Sequence, residues 1–275
     1  VSQTTIEQSD ETSTGTPENS PTDSPSETPT QTDIPEPELT DRVDLKWLFE
    51  SDQSPIPTVT RDSVLVGDDS GKLRSLDRTD GTVRWTKEIA SRSQMEIAGG
   101  PVVRDGSVFT GTASGMVAAL DYSSGVVRWS TETSARLFDP PIVHGETVYV
   151  VGIDGEIAAL DPAKGTLRWT EQATAFAQSF VSGDPAITDE RIFLTIEGAG
   201  MVTARRLDNW DMSWRQKVGS TTSTVTDGSR VFFGTENGVR AVEAATGETV
   251  WDYDITASPT QLSTVEGGVV CAGFG

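Results

Sequence analysis

GEIAALDPAKGTLRW, residues 155–169, is the stretch on which the reading of this chain turns. Asp154-Gly155 is a hairpin-type break, EIAALD has the alternation of a strand, Gly165 closes a second turn, and TLRW is a strand ending on Trp169. The same text recurs as GKLRSLDRTDGTVRW (71–85), GMVAALDYSSGVVRW (115–129), GMVTARRLDNWDMSW (200–214) and GVRAVEAATGETVW (238–251). The Gly-to-Trp distance is 14 residues in the first four units and 13 in the last. Trp47, Trp85, Trp129, Trp169, Trp214 and Trp251 follow one another at 38, 44, 40, 45 and 37 residues. A period near 40 residues is the length of a four-stranded sheet unit.

The residues upstream of each Gly…Trp half supply the other two strands. In the third unit PPIV, a His144-Gly145 turn and ETVYVVG form a hairpin. No segment carries a 3.6-residue apolar period, so helices are not expected. One such sheet cannot bury both its faces, whereas radial stacking of several does. The reading is an all-β propeller of four-stranded antiparallel blades, five complete between about residues 54 and 257. Inner strands start near Pro57, Pro101, Pro141, Pro185, Ser223 and Ser263, which makes six starts for five complete Gly…Trp halves. Trp47, in DLKWLF, lacks a motif before it and reads as the outer strand of a partial closing blade shared with 259–275, the sequence ending before that blade's third strand.

The core A-x-D-x-x-T-G-x-x-x-W resembles the tryptophan-docking motif of the PQQ-like propellers, a family that includes quinoprotein alcohol dehydrogenases and BamB-like barrel-assembly lipoproteins. The motif falls on Ser75, Asp77, Gly81 and Trp85; on Ala119, Asp121, Gly125 and Trp129; on Ala159, Asp161, Gly165 and Trp169; and on Ala241, Glu243, Gly247 and Trp251. The resemblance implies that each Trp packs against the Ala and Gly peptide of neighbouring motifs, fastening blade to blade. In the fourth unit Ala204 and Trp214 fit, but Arg206 replaces the acid and Trp210 the Gly. A distorted turn is expected there, making Trp210 a candidate exposed feature, with a local packing adjustment as the alternative.

Residues 1–44 hold 11 of the 42 acids, one basic residue (Arg42), 16 Ser or Thr and six Pro. Their large apolar side chains are Val1, Ile6, Ile34, Leu39 and Val43, too few to offset the entropy of ordering. Residues 1–43 are therefore expected to form a disordered, self-repelling tether to a propeller spanning 44–275. Stretches of this composition commonly lie between a lipid anchor and an exported domain, which implies an extracytoplasmic or cell-surface protein anchored through a segment outside this sequence. The sequence opens at Val1, without initiator Met or signal peptide, as a processed or cloned N-terminus would.

The net charge is −21, of which −11 remains after residues 1–44 are set aside, and only 5 of the 21 basic residues are Lys. An acid-rich, Lys-poor surface resembles those of halophilic archaeal proteins, with an ordinary acidic protein as the alternative. Either way this charge disfavours nucleic acid and bare anionic membranes. No run of 18 apolar residues is available for a transmembrane segment. Cys271, the single cysteine, excludes an intramolecular disulfide or Cys-rich zinc site and reads as a small buried hydrophobe in GGVVCAGFG.

Catalytic, cofactor and metal sites are not expected. A quinoprotein dehydrogenase resembling this family would need a calcium site, an active-site insertion carrying a catalytic Asp and usually paired cysteines, and this sequence has neither a loop of that length nor a second Cys. His144, the sole histidine, falls at a hairpin turn and reads as a turn residue rather than a general base or ligand. Asp68-Asp69 could touch a cation but lacks calcium-loop spacing, and reads better as solvated turn carboxylates. Two functions remain: a non-catalytic scaffold for another exported or membrane-associated protein, and a small-ligand or glycan sensor using the central channel. An aromatic patch from Phe138 with Leu137, Phe176 with Phe180, and Trp210 would mark the scaffold. Limited proteolysis checks the domain boundary: residues 1–43 should be trimmed while the Trp-rich remainder survives, and resistance of the Pro17–Pro37 segment contradicts it.

Overall fold

The computed structural model describes residues 45–50, 56–89, 97–173, 180–219, 223–254, 259–265 and 268–273. The expected tether at 1–43 lies outside them. The described residues hold strands and turns and no helix. Blade one is β1 (Ile56–Val59), β2 (Ser63–Gly67), β3 (Lys72–Asp77) and β4 (Val83–Glu88), hydrogen-bonded in that order. Blade two is β5 (Ile97–Arg104) to β8 (Val127–Glu132) through β6 (Ser107–Thr112) and β7 (Met116–Asp121). Blade three follows as β9 (Ile142–His144), β10 (Thr147–Val151), β11 (Glu156–Leu160) and β12 (Leu167–Gln172).

Blade four differs at its inner strand, which is broken into β13 (Phe180–Val181) and β14 (Ala186–Ile187), both paired with β15 (Arg191–Glu197). Gly183, Asp184 and Pro185 occupy the break, and β16 (Met201–Arg206) and β17 (Met212–Lys217) complete the sheet. Blade five is β18 (Thr224–Thr226), β19 (Arg230–Thr235), β20 (Gly238–Glu243) and β21 (Thr249–Asp254). A hairpin of β22 (Pro259–Val265) and β23 (Gly268–Gly273) is the partial blade, β22 packing beside β18 and β19. All pairings are antiparallel. Cys271 lies in β23.

The core is a series of seams between blades. Strand β7 shows how one sequence serves two of them: Ala118 and Leu120 pack with Leu65, Leu73 and Trp85 of blade one. Val117 and Ala119 face the other way, into a cluster with Val148, Val150 and Leu160 of blade three. Corresponding clusters join blades three and four through Ile157, Leu194 and Trp210, and four and five through Phe193, Trp214 and Phe233. Period-two alternation thus sorts apolar side chains between two buried faces rather than between core and water.

Each seam is fastened by a tryptophan. The indole Nε1 of Trp85 donates to the Tyr122 carbonyl at 3.0 Å, Trp129 to Pro162 at 2.8 Å and Trp214 to Ala244 at 3.0 Å. Each acceptor follows the acidic motif residue of the next blade. The ring lies flat on the motif glycine of that blade: a Cβ at Gly125 (φ +69°) would come within 2.6 Å of the Trp85 ring. Trp47 repeats the arrangement, donating to the Arg78 carbonyl at 2.9 Å with its ring over Gly81. It stands where an outer-strand Trp of a preceding blade would stand, although Leu45–Glu50 forms no strand pairing. The motif Ala or Ser is the direct cross-strand partner of the Trp in its own blade, as in Ala119↔Trp129 and Ser75↔Trp85.

The fourth unit corrects the sequence reading. Trp210 is buried at 9% exposure, and its turn is not distorted. Its backbone keeps the bonds of the sister turns, Trp210 N–H to Arg206 O at 3.1 Å and Arg206 N–H to Asp211 O at 2.9 Å, against 2.9 and 2.7 Å at Gly81 and Asp77. Trp210 adopts the left-handed conformation its glycine counterparts use, at φ +63°. Its ring meets Trp169 at 5.2 Å between centroids and the Arg205 guanidinium at 5.4 Å. Trp129→Ala, which leaves a void under Gly165, should lower stability by about 3–5 kcal/mol in denaturant unfolding; a loss under about 1 kcal/mol would show that the indole does not fasten the seam.

Candidate functional site

The strand ends define two different surfaces. At the turn end, where strands one and two and strands three and four connect, a bulge in every outer strand frees the residue before the Trp. In blades one to three that residue is an arginine that bridges strand four to strand three and strand two. Arg84 pairs with Asp77 at 2.7 Å and Ser63 at 2.8 Å, Arg128 with Asp121 at 2.7 Å and Ser107 at 2.6 Å, and Arg168 with Asp161 at 3.0 Å and Thr147 at 2.9 Å. The Arg84 guanidinium holds the Asp77 carboxyl below its ordinary range, and Arg168 does so for Asp161. For Asp121 the Ser123 hydroxyl comes first and Arg128 second. The motif acids are structural, each also accepting turn amides such as Thr79 N–H at 2.7 Å. In blade four Arg206 turns instead to Asp208, at 2.5 Å.

His144 is the last residue of β9 and only part-exposed. Its Nε2 lies 3.0 Å from the Asp189 carboxylate on the next blade, so it links blades rather than capping a turn. It borders a cleft of about 670 Å³ walled by Thr188–Arg191 of blade four and Thr226, Ser229 and Glu243 of blade five. Similar clefts lie between blades two and three, about 310 Å³ (Arg104, Phe109, Val143, Pro162), and beside Trp47, about 530 Å³.

Asp68 lies at the opposite, loop end, where strands two and three connect and the chain passes between blades. It is buried at 2% exposure, not solvated as expected, and Asp69 is half-buried. One Asp68 oxygen accepts Ser70 N–H and Oγ–H and Lys72 N–H, and the other accepts Arg74. Burial alone would raise this carboxyl, but the bonds from Ser70 and Arg74 outweigh it and hold it below its ordinary value. All its bonding capacity is directed inward.

The expected aromatic patch divides. Leu137 is buried in an isolated bridge to Gly152, Trp210 is buried, and Phe176 lies outside the described residues. Phe138 and Phe180 remain exposed, at 48% and 38%. The segments that carry them are both bonded to the second turn of blade three: Ile153 N–H donates to Arg136 O at 2.8 Å, and Ile153 O accepts Val181 N–H at 3.1 Å. Phe138 and Phe180 therefore both lie on segments anchored to the Gly152–Gly155 turn. Beside Phe138, burial and the negative charge of Asp184 push the Asp139 carboxyl up to about 6. Sequence reasoning missed Asp139, because nothing in FDPP shows that the Asp139–Pro140 backbone packs on Gly99 of the neighbouring inner strand and takes the carboxyl out of water with it.

Radially stacked four-stranded blades joined by docked tryptophans define the class of the protein as a β-propeller. A family model described as outer membrane protein assembly factor BamB matches residues 44–98 and 90–272, and the chain belongs to that family. BamB from Moraxella catarrhalis is 24% identical with a TM-score of 0.60, over 77% of this chain and 67% of its own. The computationally designed Ika8 protein is 17% identical, TM-score 0.65, over 80% and 68%. Quinohemoprotein alcohol dehydrogenase ADHIIG from Pseudomonas putida HK5 is 16% identical, TM-score 0.60, over 77% of this chain and 44% of that one. No curated protein sequence matches the chain.

Asp139 supplies a pH test. Its folded value, about 6, exceeds the unfolded value near 4, so the folded state binds more protons between them and stability should fall as pH rises through that window. Asp139→Asn should therefore stabilise by about 1–2 kcal/mol at pH 7.5, allowing for the water that reaches the carboxyl, and be neutral at pH 4. Equal effects at both pH values would contradict this environment.

Proposed function

We propose that this protein is a non-catalytic, exported propeller that serves as a scaffold for another extracytoplasmic or membrane-associated protein. The observation that carries the reading is the exposed pair Phe138 and Phe180, set on a hydrogen-bonded loop framework with carboxylates at Asp139 and Asp184. Large apolar side chains on a rigid surface favour a protein partner, and the acids beside them favour one with Lys or Arg around an apolar patch. Membership of the BamB family supports the same reading. The acidic Ser/Thr/Pro stretch 1–43 would be the tether to the cell surface, and the Lys-poor acidity would suit a saline exterior.

The use made of the polar groups supports a non-catalytic role. Asp68 and the motif acids Asp77, Asp121 and Asp161 bond their own turns and arginines, and His144 ties two blades. A photo-crosslinking residue placed at 138 or 180 in cells should yield one defined adduct in the envelope fraction, whereas the same residue at Val83 on an outer strand should not. Absence of an adduct from both loop positions, or alcohol oxidation dependent on added PQQ and calcium, would overturn the scaffold reading.

A further inference from the structure

The cleft beside Trp47 has a charge opposite to that of the protein. About 530 Å³ in volume, it is lined by Lys46, Arg61, Asp62, Arg78, Thr79 and Arg84, four cations against one acid in a chain of net charge −21. That acid is already engaged: Asp62 meets Arg84 at 3.1 Å and accepts the Tyr122 hydroxyl. Arg84 is shared with Asp77, and Asp80 on the neighbouring turn accepts Thr82 N–H and Oγ–H at 3.0 and 2.8 Å. The remaining cations have no carboxylate partner among the described residues. Among the described residues Lys46 and Arg61 form no ion pair, and Arg78 donates only to the Thr60 and Arg61 carbonyls, at 3.2 and 3.4 Å.

Outside this cleft seven arginines form ion pairs with carboxylates among the described residues. Carboxylates outnumber cations two to one in the sequence, yet three of the cations lining this concavity pair with no described carboxylate. Like charges gathered on a partly enclosed surface repel unless an anion joins them. Guanidinium forks and an ammonium match the oxygens of a phosphate or carboxylate, and the volume falls within the range of about 300–1,000 Å³ typical of small-ligand sites. We propose that this cleft binds a small polyvalent oxyanion through Lys46, Arg61 and Arg78. The site is independent of the scaffold surface, since Phe138 and Phe180 lie at the other end of the strands.

Isothermal titration of the full-length protein at low ionic strength tests it, with pyrophosphate and citrate as probes and sodium chloride at matched ionic strength as the reference. At least one probe should bind at one site per chain. Lys46→Ala with Arg61→Ala should weaken binding about tenfold or more, while Arg215→Ala with Lys217→Ala, which removes the same charge from blade four, should leave it unchanged. Both pairs are exposed on the surface, so folding is preserved in each variant. Binding of pyrophosphate alone assigns a phosphate-bearing ligand, of citrate alone a polycarboxylate, and of both an oxyanion recognised by charge and spacing. The proposal is overturned if neither probe binds, if the Lys46/Arg61 variant binds like the wild type, or if both variants lose affinity equally.

Discussion

An indole lying flat on a peptide that has no side chain is the interaction on which the rest of this structure depends. The contact needs three things together: a Trp at the outer edge of one blade, a glycine in the left-handed region on the next, and a free carbonyl in that same turn to accept Nε1–H. None of these can move independently. The Trp must lie a fixed distance from the glycine of its own unit, because that glycine receives the preceding Trp; hence the near-constant spacing. The residue opposite the Trp must be small, and Ala or Ser fills that place in every complete unit. The bulge that follows re-aims one outer-strand residue, and where that residue is Arg it ties the turn to strand two.

The junction of blades three and four shows what happens when one member of this set is exchanged. A tryptophan in the left-handed region costs roughly 1–2 kcal/mol relative to its ordinary conformations. Its ring also occupies the space where Trp169 would have met a bare peptide. Stacking on Trp169 and the Arg205 guanidinium offsets these costs, with Arg205 donating to the Trp210 carbonyl at 3.1 Å and to Ala173 O at 3.2 Å across the seam. Burial lowers the tendency of this guanidinium to hold its proton, partly countered by Glu171. Arg205 stands where sister strands carry Leu76, Leu120 and Leu160, so two departures from the repeat, five residues apart, form a single compensated substitution.

That compensation explains which parts of the molecule were legible in sequence. The blades were, because the periodic glycines and tryptophans encode contacts between units of constant length. At Trp210 the packing alternative holds and the distorted, exposed turn does not, because the turn is specified by hydrogen bonds that any residue able to reach positive φ can make. Asp68 was misread because a DDSG turn looks solvated in isolation; its burial comes from the chain returning to that turn, as Ile89 N–H bonds Gly71 O at 2.8 Å and Ile97 N–H bonds Asp68 O at 3.3 Å. Leu137 and Phe138 are adjacent and equally apolar, yet one is buried and the other half-exposed. The difference arises from the Leu137 bridge to Gly152, a pairing across blade boundaries that local alternation does not encode.

These same inter-blade bonds separate the two ends of the strands in chemical character. At the loop end, backbone amides and carbonyls of consecutive blades bond directly through Arg136, Ile153 and Val181, so side chains there are released from structural work and can present apolar surface. At the turn end side chains do this work, the Asp–Arg–Ser/Thr bridges within each of the first three blades and, between blades, the docked indoles and links such as Thr60 to Tyr122 at 2.7 Å. The cations beside Trp47 differ from the single exposed ones elsewhere in lining one concavity together, where their repulsion adds. Phe138 and Phe180 are informative at the loop end, where the framework is complete without them.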